Sequence, residues 1–264
     1  MKKPALCLSA LLLATMLLGG IAEGKVHTET VLYKHGDTTL EGYLAYPEDA
    51  GKTPLPGVVV IHDWSGPGPY VQMRAEQLAG AGFVALAIDM YGKDVRPKTR
   101  DECAKQAGIY RADRALMRAR ARAGLDLLLS NPKVDPKKIA AIGYCFGGGT
   151  ALELGRSGAP LAGVVSFHGN LDTPNPADAK AIQGKILICH GADDPFVPQD
   201  QVAAFQKEMK DAGVDYQLIQ YSGAVHGFTR KDSGNDPSKG MAYNEAADRR
   251  SWNAMMQFFG EIFQ

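Results

Sequence analysis

The chain has 264 residues, 45% hydrophobic and 22% charged, with 29 Lys and Arg set against 29 Asp and Glu. That balance, with no basic run and no aromatic–basic interleaving, excludes a nucleic-acid binder, and the length fits one α/β domain with a sizeable core. Scattered His residues, with neither H-E-x-x-H nor a paired C-x-x-C, give no metal-ligand pattern.

Lys2 and Lys3 precede a nearly wholly apolar stretch over residues 5–18, and Gly19-Gly20-Ile21-Ala22 supplies small residues for cleavage. Residues 1–22 therefore read as a secretory signal peptide, the apolar core being too short for a membrane span. Cys7 lacks the small preceding residue of a lipoprotein signal. The leader carries two of the 29 basic residues and no acidic one, so the remaining chain is slightly acidic at 27 against 29. The expectation is a periplasmic or secreted protein, one domain over residues 23–264, monomeric, with no membrane attachment after cleavage. Cys103, Cys145 and Cys189 remain, and an odd number in an oxidising compartment leaves at least one thiol unpaired. Cys103 and Cys189 are expected to be free and structural.

Residues 26–34 and 39–46 flank His35-Gly36-Asp37-Thr38, a hairpin signal. A short apolar strand follows at 57–61 and a helix at 70–81, ending at Gly82. The next strand, 83–88, is closed by Asp89-Met90-Tyr91-Gly92, and residues 93–98 form a basic loop. Residues 101–130, rich in Ala and Arg, read as one long helix with a solvated face. Asn131-Pro132 ends it, and Asp135-Pro136 opens the strand that runs through 139–142. After a helix at 148–154 come a strand at 161–167, a strand at 186–190, a helix at 199–212 capped by Gly213, and a strand at 215–221. A polar loop, 229–240, leads to the closing helix, 243–263. Strands alternating with helices behind a hairpin give an α/β class: a mostly parallel central sheet with helices on both faces and an N-terminal antiparallel hairpin.

One motif stands out. Gly143-Tyr144-Cys145-Phe146-Gly147 joins a buried strand to a helix as G-x-C-x-G, a nucleophile elbow with Cys in place of the usual Ser. A helix N-terminus favours a thiolate there; the plainer alternative is a structural Cys beside a glycine-rich turn. A nucleophile needs a base and the base an orienting acid, in the chain order nucleophile, acid, base. Asp194, in the Gly- and Pro-bounded loop after the strand 186–190, suits the acid, with Asp193 as the turn-capping competitor. His226, in a glycine-flanked loop after the last strand, suits the base. The backbone N–H groups of Phe146 and of Trp64 suit an oxyanion hole.

Active sites of such sheets lie at the carboxyl ends of the strands. That rule adds His62 and Asp63 after the third strand, Lys93 and Arg96 after the fourth, His168 after the strand that follows the elbow, and Arg230 four residues beyond His226. Cationic side chains around one rim point to an anionic group on the substrate, most simply a carboxylate; solvated surface charges are the alternative.

The chain resembles the dienelactone hydrolase (carboxymethylenebutenolidase) family of the α/β-hydrolase fold, in a secreted branch. The resemblance rests on the elbow at 143–148, Asp89-Met90-Tyr91, Asp194-Pro195-Phe196-Val197-Pro198, His226-Gly227-Phe228 and Ala246-Ala247-Asp248-Arg249-Arg250-Ser251-Trp252. It implies a Cys145–Asp194–His226 triad and hydrolysis of enol-lactones through a thioester, with no cofactor. The family's two carboxylate-holding arginines would fall on Lys93 and Arg230, and Lys93 lacks the bidentate fork. Its thiol-deprotonating Glu would fall on Asp63, one methylene shorter, with His62 able to share the task or Asp63 only ordering its loop. A small lactone or carboxylic ester is the expected substrate. A broad carboxylesterase or thioesterase, and a non-catalytic extracytoplasmic ligand-binding protein, are the other readings.

Overall fold

The computed structural model describes residues 25–264, and the expected leader, residues 1–22, lies outside them. Eight strands form one sheet: β1 (Val26–His35), β2 (Thr38–Pro47), β3 (Leu55–Ile61), β4 (Val84–Ile88), β5 (Val134–Tyr144), β6 (Gly163–Phe167), β7 (Lys185–Gly191) and β8 (Tyr216–Tyr221). Their order is β1-β2-β4-β3-β5-β6-β7-β8. The β1–β2 hairpin is antiparallel and joins β4 antiparallel, while all other neighbours are parallel. Among the described residues six α-helices surround the sheet: α1 (Pro69–Gly80), α2 (Arg100–Ala112), α3 (Arg114–Leu129), α4 (Phe146–Arg156), α5 (Gln199–Ala212) and α6 (Glu245–Ile262).

The central strands are apolar on both faces because both are covered. Along β3, Val58 and Val60 belong to the apolar cluster on the face that α1 and α6 cover, together with Leu78, Met255 and Phe258. Val59 and Ile61 turn the other way, toward Met117, Leu125, Leu152 and Phe205 of α3, α4 and α5. All four are fully buried, and each such side chain contributes about 1.5–3 kcal/mol of transfer free energy.

Two element boundaries differ from expectation. The stretch 101–130 is two helices, because Asp113 leaves the helical region (φ −122°, ψ 89°) and its carboxylate accepts the Leu116 N–H at 2.8 Å, starting α3. A carboxylate one turn before free N–H groups competes with helix continuation. The start of α2 carries a capping box between Thr99 and Glu102. The elbow strand also begins before Pro136, since Leu55 and Pro56 pair with Val134 and Asp135 before a register shift.

β3 is the switch point. The chain leaves it to build β4 on one side and then returns to build β5 on the other. The crevice beyond the carboxyl ends of β3 and β5 is where such sheets carry their sites. Here it holds residues 62–66 on one wall and the elbow on the other.

Candidate active site

Cys145 sits between β5 and α4 with φ 54° and ψ −115°. Positive φ in a residue bearing Cβ costs of order 1–3 kcal/mol and persists only where the surroundings enforce it. Two glycines do so. A Cβ on Gly143 would stand 2.0 Å from the Gly147 carbonyl oxygen, and one on Gly147 would stand 2.2 Å from that of Ile61. The turn therefore closes on itself and is pressed against the end of β3, leaving Cys145 half-buried at the mouth of the crevice.

His226 meets the thiol. Its Nε2 lies 3.0 Å from Cys145 Sγ, and its Nδ1 lies 2.8 Å from Asp194 Oδ2. A carboxylate can only accept, so Nδ1 carries a hydrogen and Nε2 is the atom left to exchange a proton with the sulfur. Burial disfavours the charged ring, but Cys145 and Asp194 outweigh it and raise the His226 pKa to about 10. Asp194 is buried, and its other oxygen accepts the Phe196 N–H at 2.9 Å. Asp193 is exposed and accepts the Gly223 N–H at 3.1 Å, tying the acid loop to the base loop. Backbone bonds at both sides of His226, from its N–H to Gly240 and from Ala242 to its carbonyl, fix the base loop further.

The N–H groups of Trp64 and Phe146 make no bond to a protein acceptor among the described residues. The first precedes Ser65, whose N–H and hydroxyl both bond Asp63 Oδ1, at 2.8 and 2.6 Å. The second is the first helical N–H of α4, where anions are favoured. The close approach of Gly147 to the end of β3 sets the two walls against each other.

The remaining candidates divide. No hydrogen bond joins Asp63 to Cys145 among the described residues; its Oδ2 pairs with Arg230 Nη1, and its Oδ1 is taken by Ser65. Arg230 also pairs with Asp232 through Nη2 and lies 5.0 Å above the Tyr70 ring. These anions hold its pKa above the usual arginine value against the cost of burial.

The other rim candidates lie as follows. His62 is fully buried, with Nδ1 2.6 Å from the Asp63 carbonyl and Nε2 accepting the Met90 N–H at 3.1 Å. Both nitrogens are engaged by backbone groups rather than by the thiol, and burial lowers its pKa. His168 is also buried and sets its ring edge-on to that of His226, with centroids 5.3 Å apart. Lys93 is exposed; its N–H bonds Thr39 in the hairpin, and no bond or ion pair joins its side chain to the triad. Arg96 is engaged by Glu41 at 3.1 Å and by the Gly92 carbonyl at 2.7 Å.

Sequence reasoning missed several neighbours. Phe196 is 53% exposed, and its ring stands perpendicular to His226 at 5.5 Å. Its place two residues after the acid was the available signal. Tyr70 and Thr229 share a hydrogen bond across 159 residues of chain, and no local signal marks such a pair. Cys103 and Cys189 are buried and make no disulfide among the described residues. Burial raises both thiols, Cys189 to about 12. Among the described residues no group of His, Cys, Asp and Glu is arranged to hold a metal ion, and no helix is long and apolar enough to cross a membrane.

The dienelactone hydrolase family model matches residues 40–263. A solved structure named m3DLH superposes with a TM-score of 0.88 at 39% identity, covering 91% of this chain and all of that one. A dienelactone hydrolase-like promiscuous phosphotriesterase, P91, from metagenomic libraries, gives 0.86 at 41% identity over 90% of this chain and 99% of its own. A Bradyrhizobium protein named "Probable 2-oxo-3-(5-oxofuran-2-ylidene)propanoate lactonase" is 29% identical over 86% of this chain and 93% of its own length. The chain belongs to the dienelactone hydrolase family, has the α/β-hydrolase fold, and is a hydrolase of ester or lactone bonds.

Proposed function

We propose that this member of the dienelactone hydrolase family cleaves a small, carboxylate-bearing lactone or ester through Cys145, His226 and Asp194. The observation that carries the reading is the unbroken contact from Asp194 Oδ2 to His226 Nδ1 at 2.8 Å and from Nε2 to Cys145 Sγ at 3.0 Å. His226 Nε2 takes the thiol proton as sulfur bonds the carbonyl carbon, and the oxyanion lies against the N–H groups of Trp64 and Phe146. The carbonyl re-forms, the enolate or alkoxide leaves, and the His226 proton goes to it. His226 then removes a proton from water, whose oxygen attacks the thioester, and sulfur leaves as the thiol with that proton. A thiolate is itself a good leaving group, so activated acyl groups suit the site better than amides.

Arg230 would hold the substrate carboxylate, exchanging its present pairing with Asp63 for a bidentate one. The substrate named for the Bradyrhizobium relative joins an unsaturated five-membered lactone to a 2-oxo acid, which supports this choice. Asp63, released from Arg230, would then be a second carboxylate within the loop that faces the thiol.

A second reading rests on the same pairing. Arg230 is already neutralised by Asp63 and Asp232, and an incoming carboxylate must displace one of them. A neutral ester meets no such competition, and the name of P91, a promiscuous phosphotriesterase, describes neutral substrates. Turnover of a carboxylated lactone and of a neutral aryl ester, in wild type and Arg230→Ala, separates the two. The carboxylate reading expects the mutant to lose about 1.5–3 kcal/mol on the lactone alone, the worth of a charge-assisted bond, or roughly 10- to 150-fold in kcat/KM. An unchanged preference would sink it. Mass analysis after an ester pulse should show an acyl group on Cys145; turnover by Cys145→Ala at the wild-type rate would remove the nucleophile assignment altogether.

A further inference from the structure

Behind His226 lies a run of buried polar groups that the reaction above does not use. Arg74 of α1 is 5% exposed, and its Nε donates to Tyr70 Oη at 3.3 Å. Tyr70 Oη lies 2.6 Å from Thr229 Oγ1, and Thr229 Oγ1 lies 2.8 Å from His168 Nε2. His168 packs its ring on His226, with centroids 5.3 Å apart and planes at 66°. Arg74 is itself held by Asp248 of α6 at 2.5 Å and donates to the Thr229 carbonyl at 3.1 Å.

The anchor end of this run has a fixed direction, because a guanidinium only donates and Tyr70 Oη therefore accepts from Arg74. The Tyr70 hydroxyl is free to donate along the 2.6 Å contact to Thr229; the Thr229 carbonyl stands farther off, at 3.4 Å. Continued the same way, Thr229 donates to His168 Nε2, and His168 is the neutral tautomer with hydrogen on Nδ1, an atom that is buried and has no partner among the described residues. His168 also keeps a left-handed backbone (φ 40°), held by its N–H bond to the Cys189 carbonyl at 2.8 Å.

Tyr70 meets the site a second time. The face of its ring lies 5.0 Å from the Arg230 guanidinium carbon. One side chain of α1 therefore touches both ends of the segment 226–230, the base through Thr229 and His168, and the cation directly.

We propose that Tyr70, Thr229 and His168 are positioning residues: a one-way hydrogen-bond relay, anchored at Arg74, fixes the plane of the His226 ring and couples it to the perch of Arg230. This rests on His226 being the base, as argued above. The relay acts on ring orientation, so its loss appears in kcat, whereas loss of the Tyr70 ring appears in KM as well.

The test compares Thr229→Val, Thr229→Ser, Tyr70→Phe and Tyr70→Ala on a carboxylated lactone. A misplacement of about 1 Å in a reacting group costs roughly 100-fold. Thr229→Val and Tyr70→Phe should therefore lose ~10- to 100-fold in kcat with KM within about twofold, and Thr229→Ser should recover to within about threefold. Tyr70→Ala should raise KM in addition. Undiminished kcat in folded Thr229→Val, or Thr229→Ser as slow as Thr229→Val, overturns the relay. Nitrogen-15 NMR of the wild-type histidines supplies a readout free of turnover and of mutant folding. The proton of His168 is expected on Nδ1, and finding it on Nε2 overturns the relay. A wild type that forms no Cys145 adduct yet shows this tautomer would refute the nucleophile assignment and leave the relay standing.

Discussion

Replacing Asp194 by Asn tests the triad with the least disturbance, because the structure dictates which way the new amide must lie. Asp194 Oδ1 accepts the Phe196 N–H at 2.9 Å, so the Asn oxygen has to remain there and its NH2 must take the place of Oδ2, 2.8 Å from His226 Nδ1. An NH2 donates where the carboxylate accepted. Nδ1 then becomes the acceptor, and the ring hydrogen moves to Nε2, pointing at Cys145 Sγ 3.0 Å away. The lone pair that should take the thiol proton is gone. In a serine triad the corresponding change lowers kcat by about 10⁴, or roughly 5.4 kcal/mol. Deacylation needs the same lone pair to activate water and should slow as well. The assay is pre-steady-state turnover of an activated ester at pH 7, with both acylation and release of the acyl group expected to fall. A folded Asp194→Asn enzyme that turns over within tenfold of wild type at pH 7 would refute the tautomer argument.

The raised pKa of His226 also acts on stability. Its folded value, about 10, exceeds its unfolded value of 6.5, so its contribution is complete below pH 6.5 and is lost as pH rises through about 10. Part of that rise comes from Cys145, so the Tm advantage of wild type over Cys145→Ala should shrink between pH 6.5 and 10; a constant difference would refute the coupling. Between α4 and α5, Arg156 is fully buried and bonds Glu208 twice at 2.7 Å and Glu153 at 3.0 Å. Glu208→Ala leaves a buried guanidinium half-paired and should cost about 3–5 kcal/mol in chemical denaturation, with kcat/KM of the folded enzyme unchanged. A loss under 1 kcal/mol would show that the pair is solvent-relaxed.

The parts of this molecule legible in the sequence are those that the chain writes locally. Strand ends are marked by apolar runs stopping at Gly, Pro or Asp, and Cys145, Asp194 and His226 each follow such an end. The structure brings these three within hydrogen-bond reach. Asp194 is distinguished from Asp193 by burial, which the spacing from Gly191 to Val197 anticipates. A rule that collects residues beyond strand ends cannot tell inward from outward. His62 and His168 satisfied the rule, yet they turn into the protein. Lys93 satisfied it too, and faces solvent at the hairpin. The break at Asp113 was hidden because Ala, Arg and Leu on either side favour helix strongly enough to mask one capping carboxylate. The Arg230–Asp63 pair spans 167 residues, and nothing at either end of it announces the other.

The packing of Gly147 against the end of β3 has a consequence for how this enzyme can change. The elbow and the loop after β3 meet main chain to main chain, since a Cβ at Gly147 would fall 2.2 and 2.5 Å from the Ile61 and His62 carbonyl oxygens. The side chains of Trp64 and Phe146 take no part in that contact. Either can be exchanged for a residue of similar bulk without moving the charge-stabilising groups, whereas a single methyl added at position 147 would separate them. Chemistry and selectivity are thereby inherited on different parts of the chain. Substrate preference can drift through the crevice walls over many generations of variants while the candidate oxyanion donors stay in place, and directed evolution of this scaffold should begin at residue 64 and leave the glycines alone.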